Sequence, residues 1–128
     1  MSKRQVFNSY ALPGDCIEWE KDGFTLRATL LEDYDTTPDD SDCYSTRAMD
    51  KWLKNEWFFA GVVISVSRAG VVLDDAAASL WGCGCNLGRS NKYLTEAAHG
   101  LGEEALSTAR ATLRRLLDST DPVIQIME

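Results

Sequence analysis

Among 128 residues there is a single histidine, His99, and no apolar run approaches the ~20 residues that a membrane-spanning helix needs. The N-terminal stretch "MSKRQVFNSYALPGD" has no apolar centre of the kind a signal peptide carries. A cytoplasmic protein is the expectation, with the thiols of Cys16, Cys43, Cys83 and Cys85 reduced rather than joined in a disulfide framework. Nothing local pairs His99 with an activated serine or cysteine, which disfavours nucleophilic catalysis and favours a half-buried helix residue. The glycine-rich "GCGCNLG" lacks both the Lys-Ser/Thr of a phosphate loop and the spacing of a dinucleotide fingerprint. No enzyme and no cofactor is expected.

Metal sites fail on spacing. Cys83-Gly84-Cys85 is narrower than the usual zinc pair, and only the distant Cys16, Cys43 or His99 would complete four ligands. The run "DYDTTPDDSD" offers Asp33, Asp35, Asp39 and Asp42 as hard oxygen donors. An EF-hand begun at Asp33, however, needs Gly where Pro38 stands and Glu where Tyr44 stands. No metal ligand is assigned.

What the chain does contain is negative charge in one place. The formal net charge is -7, and cutting the sequence into residues 1–31, 32–50 and 51–128 gives 0, -6 and -1. Such a chain is repelled by nucleic acid and by anionic membranes, and a cationic protein partner is the natural complement. Arg110, Arg114 and Arg115 on the polar side of the last helix, with Arg89 and Lys92 near its start, suggest a dipolar surface. Cations near a helix C-terminus are favoured by the macrodipole alone, so these residues do not establish a nucleic-acid contact.

Hydrophobic patterning outlines one domain over residues 1–128, with 1–14 as a flexible N-terminal segment and 32–45 as an acidic loop. Residues 16–20 and 24–31 alternate around the turn "KDG", which predicts a β-hairpin with Phe24, Leu26, Ala28 and Leu30 on one face. Residues 46–55 read as a short helix capped by Ser45 or Thr46. Residues 56–67 and 71–82 predict a second hairpin across "RAG", with Phe58, Val62, Ile64 and Val66 on one side and a bulge near Asp74 and Asp75. From 91 to 117, Leu94, Ala97, Ala98, Leu101, Ala105, Ala109, Leu113, Leu116 and Leu117 recur at helical spacing. Gly100 and Gly102 either kink that helix or let it approach the sheet closely. The expected fold is α+β: a four-stranded antiparallel sheet in the order β-β-α-β-β-α, with the long C-terminal helix on one face.

The stretches "NEWFFAGVVISVSRAGVVLDDAAASLWG" and "YLTEAAHGLGEEALSTARATLRRL" resemble a group of small phage- and plasmid-encoded proteins. The shared pattern falls on Trp57, Gly61, Val62, Gly70, Ser79, Leu80, Trp81, Gly82, Tyr93 and Leu94, about half the chain and mostly core and turn positions. The resemblance carries over no catalytic residue. It implies a mobile-element setting, in which small acidic accessory proteins often act against host defence, including as anti-CRISPR proteins or DNA mimics.

Together these readings predict a non-enzymatic inhibitor in the host cytosol. It would block a basic host complex that handles nucleic acid, a CRISPR effector being one example, and would not touch nucleic acid or membrane itself. Its surface would comprise Glu32, Asp33, Asp35, Asp39, Asp40 and Asp42, with Trp52 and Trp57 as apolar anchors. The rival reading is an assembly protein that self-associates through its sheet or long helix, its acidic loop serving only solubility.

Overall fold

The computed structural model describes residues 5–38, 44–88 and 90–118. Its elements are β1 (Cys16–Lys21), β2 (Phe24–Glu32), α1 (Thr46–Leu53), β3 (Phe58–Arg68), β4 (Val71–Cys85) and α2 (Lys92–Leu117). The strands form an antiparallel meander in the order β1-β2-β3-β4, so the predicted α+β architecture and element order are observed. Among the described residues, no helix is long and apolar enough to cross a membrane.

Strand register explains which side chains meet. Leu26 opposes Val66, Ala28 opposes Ile64 and Leu30 opposes Val62, and all six are fully buried. Ile17 and Trp19, opposite Ala28 and Leu26, extend this face onto β1. Helix α2 covers it with Leu94, Ala98, Ala105, Leu106 and Ala109. Small residues on the helix let it lie close to the sheet. At Gly102 an added Cβ would come 3.4 Å from Trp19 Cζ2 and 3.6 Å from Leu26 Cδ2. These are ordinary van der Waals distances, so the position would hold a Cβ against the sheet; α2 runs unbroken through Gly102, with no kink. Leu113 still packs against the core, whereas Leu116 and Leu117 are exposed. The predicted seam thus ends one turn early, where the helix passes the end of the sheet.

The other hairpin partner, β4, has 15 residues against 11 in β3. The four extra residues are taken up by register shifts opposite Ala60/Val62, Ile64/Val66 and Val66/Ser67. The second lies at the predicted Asp74–Asp75 position, and the first brings Gly82 to a φ of 75°. These irregularities bend a long edge strand, which protects it from pairing with another chain.

Of the N-terminal segment, residues 1–4 lie outside the described residues, and 5–14 form a strap tied down by side chains far along the chain. Thr95 Oγ1 accepts the Phe7 N–H at 2.9 Å, Asn86 exchanges two hydrogen bonds with Ala11, and Asn91 donates to the Asn8 carbonyl. Phe7 and Ala11 are buried in the core as a result. The strap is held because its backbone groups find partners in the connection from β4 and in the first turn of α2. Asn91, at the N-cap position of that helix, makes no side-chain cap; its amide is used on the strap and on Asn86 instead.

Candidate functional site

By register, Thr25, Arg27, Thr29 and Leu31 of β2 and Gly61, Val63, Ser65 and Ser67 of β3 face away from α2. At one end of this second face, the chain leaving β2 folds over the sheet. Asp33 organises that turn. Its N–H continues the ladder to the Phe59 carbonyl at 2.8 Å. Its Oδ1 accepts the Asp35 N–H at 3.0 Å, and its Oδ2 accepts both the Thr36 hydroxyl at 2.8 Å and the Gly82 N–H at 3.0 Å. The Thr36 hydroxyl, aided by the Asp35 and Gly82 amides, holds the Asp33 carboxyl below the usual carboxylate range. Asp33 therefore staples the turn to the bulge of β4. With both oxygens taken by donors, it is a poor cation ligand.

The turn builds the wall of two adjoining clefts. One, of about 600 Å³, is lined by Glu32, Asp33, Tyr34, Asp35, Thr36 and Trp81. The next, of about 390 Å³, shares Glu32, Asp33, Tyr34 and Thr36 and continues to Trp52, Leu53 and Phe58. Tyr34 is 83% exposed, Leu53 71% and Trp81 50%, so apolar surface stands beside the carboxylates of Glu32 and Asp35. Glu32 hydrogen-bonds the Tyr34 hydroxyl, which, together with its charge, raises the Tyr34 pKa. Among the described residues, no Lys or Arg forms an ion pair with Glu32, Asp33 or Asp35. Among the described residues, the carboxylates of Glu32 and Asp35 are therefore without a basic counterion.

The expected partner-binding residues divide into three groups. Glu32 and Asp35 border the clefts, and Asp33 lies there as an internal staple. Asp39, Asp40 and Asp42 lie outside the described residues. Of the two tryptophans, Trp52 is half-buried on the cleft wall. Trp57 lies at the back of the second cleft: it is 1% exposed, donates its indole N–H to the Ala48 carbonyl at 2.8 Å, and packs on Tyr44 and Phe59 with centroids 5.5 and 5.0 Å away. It fastens α1, itself capped by the Ser45 hydroxyl, to the end of the sheet and offers almost no area for an anchor. Trp81 takes the exposed aromatic position instead. Its ring lies over Gly61, where an added Cβ would fall 2.6 Å from Cδ2 and closer still to Cε3 and Cζ3. A glycine inside a strand signals such a close approach, which makes this pairing readable from sequence in principle.

Of the other candidates, His99 differs from expectation and the cysteines do not. His99 is exposed rather than half-buried, its ring tilted by 41° against that of Trp19 with centroids 4.2 Å apart, and its Nε2 3.1 Å from the Gln5 carbonyl. Cys83 and Cys85 are buried thiols. Burial raises both pKa values, that of Cys85 to about 12, the opposite of what a thiolate ligand or nucleophile requires. Arg110, Arg114 and Arg115 are exposed on α2, as their placement on its polar side requires. Lys92 is near Glu96 at its start, Arg115 bonds Thr112, and Arg110 pairs with Asp22 at 2.7 Å. Arg89 lies outside the described residues.

Compared with known protein families, curated proteins and solved structures, the chain matches none.

Proposed function

We propose that this protein is a non-enzymatic inhibitor that docks its acidic, aromatic end onto a cationic protein surface and so blocks a complex that handles nucleic acid. The observation that carries this reading is Glu32 and Asp35, which pair with no Lys or Arg among the described residues, beside exposed Tyr34, Leu53 and Trp81. Carboxylates without internal counterions steer encounter with a basic surface. Exposed aromatic rings next to them accept guanidinium and ammonium groups by cation–π attraction, and they bury apolar area once water is excluded. The setting in which such blocking would serve a mobile element against host defence rests on the resemblance of the β3–β4 hairpin and α2, with a CRISPR effector as one example of a target.

The test is affinity capture from host lysate at increasing salt, followed by titration of the purified partner with Glu32→Gln/Asp35→Asn and Trp81→Ala variants. Binding should weaken with salt, fall in both variants, and compete with nucleic acid for the same partner. Affinity that ignores salt and both variants would refute the proposal. The rival assembly reading draws on Leu31, 42% exposed on the sheet face that α2 leaves uncovered. It predicts self-association by sedimentation that persists in the carboxylate variants.

A further inference from the structure

At the far end of the sheet from the acidic turn, the last turns of α2 meet the β1–β2 and β3–β4 turns around a cleft of about 440 Å³. That size is in the range of small-molecule sites. We propose that this cleft binds a small amphipathic monoanion, an apolar body carrying one carboxylate or sulfonate. The proposal is independent of the acidic end and uses none of its residues.

Three features carry the assignment. First, the lining holds Arg68, Arg110 and Arg114 against Asp22 and Asp118, a surplus of positive charge in a chain whose net charge is -7. Arg110 is engaged by Asp22, whereas Arg68 and Arg114 form no ion pair among the described residues. Second, the guanidinium groups are positioned in advance. Phe24 is 4% exposed, and its ring carries Arg68 Cζ at 5.2 Å and Arg110 Cζ at 5.8 Å from its centroid. Cation–π contact with a buried ring restrains both side chains, so less freedom is lost when an anion binds. Third, Leu113 and Leu117 line the same cleft, and Leu117 is 53% exposed, which leaves apolar surface for a ligand's body.

The charge balance selects among anions. The C-terminal carbonyls of α2 add partial negative charge here, and the acidic chain repels polyanions. A surplus of about one positive charge suits a single carboxylate or sulfonate, held bidentately by a guanidinium, better than a polyphosphate or a nucleic acid.

The aromatic sulfonate 8-anilinonaphthalene-1-sulfonate is a direct probe, because its fluorescence rises when its rings leave water. Titrated against the full native chain, it should saturate at one site, be displaced by octanoate, and resist inorganic phosphate at matched ionic strength. Arg68→Gln with Arg114→Gln should weaken binding by roughly tenfold or more, the loss of charge-assisted hydrogen bonds, while Trp81→Ala leaves it unchanged. Both arginines are exposed, and a thermal melt checks that the double variant remains folded; Arg114→Gln alone should show the same direction of change. Octanoate should also raise the melting temperature of the wild-type chain and not of the double variant. Unchanged affinity in a folded double variant, absence of saturable binding, or displacement by phosphate as effective as by octanoate would each overturn the proposal.

Discussion

Replacing Gly61 with alanine tests the packing that gives the acidic end its aromatic wall. A Cβ at this position would collide with the Trp81 ring, 2.6 Å from Cδ2 and closer to two further ring carbons, so the ring must move. Trp81 is 50% exposed and can swing into solvent, which bounds the cost. Tryptophan has about 150–250 Å² to bury, so losing half of it, roughly 100 Å² at about 25 cal/mol per Å², costs up to ~2.5 kcal/mol. Alanine in a strand interior returns about 0.5–1 kcal/mol relative to glycine. The net expectation for Gly61→Ala is a destabilisation of about 1.5–2 kcal/mol. In a Trp81→Ala background the collision is gone, and the same substitution should stabilise by about 0.5–1 kcal/mol. Urea unfolding followed by far-ultraviolet circular dichroism on the four proteins gives the coupling directly, about 2.5 kcal/mol. Equal costs of Gly61→Ala in both backgrounds would refute the ring-on-glycine argument and with it the description of the cleft wall.

Two further expectations follow from the hydrogen bonds that hold the termini of elements. The Asp33 pKa is lower in the folded chain than in the unfolded one, so its stabilising effect is complete above the ordinary aspartate value of about 3.9 and is lost as pH falls through the folded value. Asp33→Asn should therefore unfold at lower urea than wild type at pH 7, with the gap closing in strongly acidic buffer; a gap that stays constant at the lowest pH would count against the staple. Thr95→Val removes the acceptor of the buried Phe7 N–H and should cost about 1–2 kcal/mol. It should speed proteolysis within residues 5–14, whereas Thr95→Ser should behave as wild type, and equal cleavage rates in all three would contradict the strap.

Much of this fold is legible because its signals are local. Leu26, Ala28 and Leu30 alternate, Leu94, Ala98, Ala105 and Ala109 repeat at helical spacing, and short turns leave antiparallel pairing as the simplest solution. The Ser45 cap of α1 and the bulge near Asp74 and Asp75 were equally readable. Charge concentration between residues 32 and 50 also needs no structure to see.

The site belongs to a different class of information. Whether Trp57 or Trp81 is exposed depends on where α1 and Gly61 lie relative to each ring, and both tryptophans look alike in a hydropathy profile. That Asp33 serves the turn while Asp35 faces solvent follows from the approach of Gly82, forty-nine residues away. The strap over residues 5–14 depends on Asn86, Asn91 and Thr95 in the same way. The sequence by itself determined the periodic elements and the charge they carry, because those depend on neighbours along the chain. Only the tertiary structure decided which polar and aromatic groups are occupied internally and which remain for a partner, because that depends on hydrogen bonds and contacts between residues distant in sequence.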